Sequence, residues 1–277
     1  MGDRTVTKLF AAAATPEGQG VTVYRTIGRR ELDSLDPFLL LDEMLIDRNQ
    51  TGVGFPEHPH RGFETVTYML SGSMQHKDTV GNIGEIGPGE AQWMTAGRGI
   101  VHSEMPTSKG VDIRGFQLWV NLPSTDKMKA PRYQDVTYNQ IPTVQGDGFQ
   151  ARLITGSLLS TDGPVQEIAV KPLFADITMT HSGNITLPVP LGHTAFIYGI
   201  DSDFSVSDQP VPTRTLAVLS DGDNIKITGE KNTRFLLVAG APIGEPIARH
   251  GPFVMNTRDE IIATMNDWNQ GRFLNAS

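Results

Sequence analysis

Two short stretches hold the residues best suited to chemistry, His58-Pro59-His60 and His102-Ser103-Glu104. In an extended strand successive side chains alternate between faces, so residues two apart project together with Cα atoms about 6.6 Å apart. Each triplet can therefore aim two donor groups at one point. Two such strands opposed inside a small barrel would gather three imidazoles and one carboxylate around a single ion. Imidazole suits Fe, Cu, Ni, Mn and Zn, and a carboxylate adds charge and hardness. Four protein ligands leave positions for water, O2 or a chelating substrate. The plainer alternative is a set of buried histidines that only hydrogen-bond to backbone, and spacing alone leaves it open. The other four histidines, His76, His181, His193 and His250, are isolated along the chain and read as structural or surface groups.

The elements that must carry these triplets are strands. Short runs rich in Val, Ile, Phe, Thr and Tyr, such as 64–70, 116–122, 194–200 and 234–238, recur between Gly, Pro, Asn and Asp clusters. That rhythm predicts an all-β sandwich or barrel. One helix is expected at the end, where Thr257 and Glu260 form a T-x-x-E capping box and Gly271 marks the stop. Ile261, Ile262, Met265 and Trp268 give it an apolar stripe that suits docking on a sheet. A weak internal repeat relates 63–73 and 116–123 to 193–203 and 235–242. The polar stretch 125–148, with Pro131 and Pro142, reads as a connection. Two related β-domains follow, at 1–130 and 131–277, with the N-terminal strand and C-terminal helix free to cross over.

Composition narrows the function. The 277 residues include no cysteine, which excludes disulfides, thiolate ligands and a cysteine nucleophile. A net charge of −8 argues against direct nucleic-acid binding, which needs a basic surface to displace counterions. Lys8 followed by Leu9-Phe10-Ala11-Ala12-Ala13-Ala14 is too short and too weakly apolar for a secretory signal, and no run is long enough for a membrane span. A cytoplasmic protein with no membrane partner is expected.

The longer motifs carry a resemblance. Phe55-Pro56-Glu57-His58-Pro59-His60-Arg61-Gly62-Phe63-Glu64-Thr65 resembles the pirin version of the first cupin motif, and the stretch from Pro88 through Gly97-Arg98-Gly99-Ile100-Val101-His102-Ser103-Glu104 to Pro106 resembles the second. Asp36-Pro37-Phe38-Leu39-Leu40-Leu41-Asp42-Glu43-Met44, Gln117-Leu118-Trp119-Val120-Asn121-Leu122 and His250-Gly251-Pro252-Phe253-Val254-Met255-Asn256-Thr257 are similar to pirin segments too, so the likeness spans nearly the whole chain. It implies two cupin barrels (double-stranded β-helix, jelly-roll) with a C-terminal helix. The N-terminal barrel would bind one metal, usually Fe(II), with Mn, Ni, Cu, Co or Zn as alternatives. The ligands would be His58, His60, His102 and Glu104. Many cupins place a glutamate ligand where this chain has Thr65. Glu64 is one residue off, and a one-residue slip turns a strand side chain to the opposite face, so Glu64 is not expected to ligate. The second barrel would be degenerate, since 188–193 offers no His-x-His.

The resemblance also implies a quercetin 2,3-dioxygenase-type oxidoreductase. A small hydroxylated aromatic such as a flavonol and O2 would be the partners, Glu104 would serve as ligand and catalytic base, and the ring would open with release of CO. Another enol or catechol is an alternative substrate. A reading from a different class is a metal-binding, redox-sensitive regulator that works through a protein partner. Phe55, Met94 and Phe116 are candidate pocket walls that would serve equally as core, and Gln117 is placed to orient a ligand. Arg61 and Arg98 flank the motifs and could steer an anion, although surface solvation is the ordinary role for such arginines.

Overall fold

Antiparallel strands account for nearly all the regular structure in a computed structural model of the chain, which describes residues 2–47 and 49–275. The expected runs match Phe63–Ser71, Ile113–Asn121, Thr194–Gly199 and Arg234–Gly240, two of them extending one residue past the strand's end, and among the described residues Arg258–Asn269 is the one α-helix. The fold is all-β, two cupin barrels with a C-terminal helix.

The chain divides into two units, one of Met1–Ala13, Leu35–Pro37 and Asn139–Pro242, the other of Ala14–Ser34, Phe38–Tyr138 and Ile243–Ser277. The expected change of domain at 130/131 thus falls at 138/139. The reason is pairing: Arg132–Val136 lies in register against Ala91–Thr95, which draws 131–138 into the first barrel. Val6–Ala11 pairs Thr215–Leu219 in the second barrel, while the C-terminal helix belongs to the first.

Among its described residues the histidine-bearing unit has two main sheets and a two-stranded hairpin, Ala248–His250 with Phe253–Met255. Its larger sheet runs Arg132–Val136, Ala91–Thr95, Phe63–Ser71, Ile113–Asn121, Phe38–Ile46, Val21–Ile27 and Ala13–Glu17 in spatial order. Its smaller sheet runs Phe55–His60, Ile100–Pro106, Met74–Asp78 and Ile83–Ile86. Proline explains why Phe55–His60 is an edge: Pro56 and Pro59 offer no N–H to a second neighbour. The repeat is visible in the pairing. Phe63–Ser71 lies beside Ile113–Asn121 as Thr194–Gly199 lies beside Arg234–Gly240. In the second unit the corresponding interior is aliphatic and aromatic, with Phe149, Leu153, Ile177, Val206, Ile227 and Leu237 fully buried in one cluster.

The helix has the expected capping box, with the Thr257 hydroxyl accepting from the Glu260 amide and the Glu260 carboxylate accepting from the Thr257 amide. Its buried face is Ile261, Thr264 and Met265, against Val101, Phe253, Met255 and Phe273. Ile262 is 46% exposed and Trp268 42%, so the four-residue stripe is narrower than its spacing suggests. Ile262 departs because a helix advances 100° per residue, which swings it off the line through Ile261 and Met265.

Gly62 joins the histidine edge strand to Phe63–Ser71 at φ +87°, and a Cβ there would run into the Val254 carbonyl oxygen. Gly62→Ala should therefore lose at least about 2 kcal/mol of stability. Urea unfolding tests this, and an unchanged midpoint would show that the turn relaxes freely.

Candidate metal centre

Register brings the two triplets face to face. His102 lies opposite His58 and Ile100 opposite His60, in an antiparallel pair of edge and inner strands. Between His102 and Glu104 the register shifts, so that Glu104 stands opposite Phe55. Three residues of the edge strand then span two of its neighbour, a β-bulge of the kind that re-aims side chains beside functional sites.

The three imidazoles converge. Ring centroids are 4.5 Å apart for His58 and His102, 4.7 Å for His58 and His60, and 5.0 Å for His60 and His102. One donor atom from each lies within 4.8 Å of the others. His60 and His102 are buried, at 2% and 1% exposure. Burial, reinforced by the neighbouring histidines, holds both well below the usual histidine range, so at pH 7 they are neutral and carry ligating lone pairs. His58 Nδ1 donates to the Pro56 carbonyl oxygen at 2.7 Å, which leaves its Nε2 as the acceptor. His102 Nδ1 meets His76 Nδ1 at 3.1 Å.

Both ring nitrogens of His60 and Nε2 of His102 find no partner among the described residues. A buried polar atom left unpaired costs about 1–3 kcal/mol. Three such nitrogens in one place are hard to reconcile with histidines kept only for backbone hydrogen bonds. A metal ion bound by imidazoles would satisfy one nitrogen of His60 and Nε2 of His102, so the donor set fits the group.

Glu104 lines the same cavity at 6% exposure but is not among the three residues whose donors meet within 4.8 Å. Its carboxylate is held from the large sheet. Thr67 Oγ1 donates to Oε1 at 3.2 Å, and Gln117 Nε2 reaches Oε2 at 3.0 Å and Oε1 at 3.3 Å. Trp119 Nε1 donates to Gln117 Oε1 at 3.1 Å, which sets the amide's orientation. Gln117 thus orients Glu104, as its position suggested. Glu64 faces away from Thr65 and Thr67, is fully buried, accepts from Thr95 Oγ1 at 2.6 Å and lies 3.6 Å from Lys129 Nζ.

Beside the histidines opens a cavity of about 520 Å³, walled by Phe55, Leu40, Trp119, Arg25, Asp42 and Arg249 among others. Phe55 is a wall residue. Met94 and Phe116 are core instead, Met94 packed with Ala96 and Ile100, and Phe116 on the strand face opposite Gln117. Arg61 does not steer anions: it is 1% exposed and tied to the C-terminal segment. Arg98 is half-buried and lines a different, smaller cavity. His181 and His250 are exposed and His193 half-buried, whereas His76 is a buried neighbour of His102.

Sequence reasoning missed a polar row across four strands. Thr67 is register partner of Gln117, Gln117 of Asp42, and Asp42 of Arg25. A signal existed in Asp42, one of two adjacent acids within the otherwise apolar run from Phe38 to Met44. Among the described residues no helix is long and apolar enough to cross a membrane.

Comparison with known proteins agrees with this geometry. A family model described as Pirin matches residues 20–120, and one described as Pirin C-terminal cupin domain matches 174–274. The chain is 42% identical over 274 residues to a pirin-like protein of Solanum lycopersicum, covering 97% of this chain and 92% of that one. The crystal structure of a quercetin 2,3-dioxygenase from Acinetobacter baumannii superposes with a TM-score of 0.92 at 34% identity, over 98% of this chain and 99% of the other. A bacterial pirin from Escherichia coli in complex with nickel(II) shares the fold at a TM-score of 0.70 and 20% identity, over 85% of this chain and 98% of that one.

Proposed function

The chain belongs to the pirin family, and from that premise we propose that His58, His60, His102 and Glu104 hold one divalent transition metal and serve O2-dependent ring opening of a flavonol such as quercetin. The observation that carries this reading is the convergence of three imidazoles beside an open cavity, with ring nitrogens of His60 and His102 left unpaired among the described residues. The quercetin 2,3-dioxygenase neighbour supports the reaction class, and the nickel(II) complex of the Escherichia coli pirin supports a divalent ion. Iron(II) is our first assignment; Mn, Ni, Cu, Co and Zn suit the same nitrogen and oxygen donors.

When bound, the metal would act as a Lewis acid that lowers the pKa of a coordinated hydroxyl and as a site for O2 chemistry. The protein's own groups do the rest. His76 holds His102 by its Nδ1, the kind of outer contact that orients a ligand. Glu104 accepts the proton of the substrate hydroxyl, and Gln117 and Thr67 keep its carboxylate aimed. Phe55 and Trp119 offer aromatic surface to a flat, hydroxylated ring system and limit water around it.

Metal-loaded protein given quercetin should release CO equimolar with the O2 consumed. Glu104→Gln should cut turnover about 100- to 10,000-fold while costing less metal than loss of a histidine. No turnover on several flavonols at full metal occupancy would overturn the activity. Consumption of another enol or catechol, or capture of a protein partner that depends on metal oxidation state, would favour the alternative readings.

A further inference from the structure

The cavity beside the histidines contains two arginines in very different states. Arg25 is neutralised: its Nε and Nη2 grip both oxygens of Asp42 at 2.8 and 2.7 Å, and Nη2 also meets Glu17 at 2.7 Å. Arg249 has no such partner. It projects from the short hairpin of Ala248–His250 and Phe253–Met255, with its guanidinium 5.0 Å over the Trp119 ring. Its hydrogen bonds go to two carbonyl oxygens, Nε to Gly251 at 3.3 Å and Nη1 to Leu39 at 3.1 Å. Among the described residues no carboxylate comes within ion-pair distance of it.

The cavity's other acids are accounted for. Asp42 and Glu17 are held by Arg25, Glu104 by Gln117 and Thr67, and Glu57 is exposed on the edge strand. Asp33, which also favours the Arg249 cation, is exposed and too far away to pair. A half-buried guanidinium, set over an aromatic ring and bonded to carbonyls but with no carboxylate paired to it among the described residues, is a prepared receptor for a planar anion. Its distance from the histidines is set by one ring: Trp119 lies under Arg249 on one side and edge-on to His60 at 5.3 Å on the other.

We propose that Arg249 binds the anionic group of the substrate, so that the cavity selects hydroxylated aromatic acids or ionised phenols whose hydroxyls reach the histidine cluster. This rests on the metal reading above and deepens it by naming a substrate class and the residue that chooses it. Trp119 serves the same end by holding the guanidinium flat.

The test is calorimetric titration of the metal-loaded chain, without O2, using 3,4-dihydroxybenzoate and catechol as matched probes. The carboxylate probe should bind wild type about tenfold tighter or more, the scale of one charge-assisted contact. Arg249→Met should erase that preference while leaving catechol affinity within about twofold, since only the charged contact is lost. Arg249→Lys, which keeps the charge but not the fork, should retain part of the preference and guards against misfolding of the methionine variant. A preference that survives Arg249→Met, equal binding of both probes to wild type, or binding of neither would overturn the assignment. Metal analysis of the same samples separates the two readings. A chain that holds no metal fails the earlier proposal, whereas a loaded chain indifferent to the carboxylate fails this one.

Discussion

His102→Ala should strip the protein of bound metal after dialysis against a metal-free buffer, where wild type retains one equivalent. His102 is the histidine held on both sides, its Nδ1 meeting His76 and its ring 4.5 Å from His58 and 5.0 Å from His60. Its removal leaves two imidazoles on a single edge strand, with Glu104 turned toward Gln117 and Thr67. Loss of an outer hydrogen-bonding partner alone typically costs 10–100-fold in metal affinity, and loss of a ligand should cost more. The proposal therefore orders three variants. His102→Ala should fall furthest, His76→Phe should fall by about 10–100-fold, and His250→Ala, altered at an exposed position, should match wild type. Elemental analysis reads the occupancy and thermal unfolding reports the linked stability. A ligand present at 1,000 times its Kd adds about 4 kcal/mol to the folded state, so chelation should lower the wild-type midpoint and leave that of His102→Ala nearly unmoved. A full equivalent of metal in dialysed His102→Ala would place the ion elsewhere.

The reason this centre was legible in the sequence is local. A period of two in a strand puts His58 with His60 on one side whatever the rest of the fold does, and the same rule turns Glu64 away from Thr65. What escaped was whatever depends on which strands become neighbours. The row from Thr67 to Arg25 exists only after four strands distant in sequence are aligned. His76 looked isolated along the chain, yet pairing sets it opposite Glu104 and against His102. Arg249 lies more than a hundred residues beyond Trp119, and no motif links them. The boundary at 138/139 depends on pairing for the same reason, because the pairing of Arg132–Val136 with Ala91–Thr95 is a tertiary choice made over two intervening strands.

Arg61 is the clearest case of chemistry reassigned by context, and it carries the largest expected loss of stability. Next to a metal-binding triplet, an arginine invites an anion-steering role. Instead its guanidinium is spent entirely inside the unit. Nε donates to the Arg98 carbonyl at 2.6 Å, Nη1 to Asp267 at 2.9 Å and to Thr264 at 3.2 Å, and Nη2 to the Phe273 carbonyl at 2.8 Å, while Cζ lies 4.4 Å over the Phe273 ring. Alanine there would leave the Arg98 and Phe273 carbonyls without this donor and would leave Asp267, on the C-terminal helix, with only the longer 3.8 Å contact to Arg272. Removing one partner of a buried ion pair costs about 3–5 kcal/mol, and because Asp267 is 24% exposed the lower end applies. Arg61→Lys should recover little, since a point ammonium cannot serve four acceptors spread over a plane. The expected result is a loss of about 3 kcal/mol in urea unfolding for Arg61→Ala, with proteolysis opening first in 258–275. The backbone of Arg61 also exchanges hydrogen bonds with Pro252 and Val254 at 3.2 and 3.0 Å, directly after His60. A loosened helix should therefore loosen the histidine strand, and metal affinity should weaken although Arg61 touches no ligand atom. A variant as stable and as resistant to protease as wild type would mean that the helix is held by Ile261 and Met265 alone.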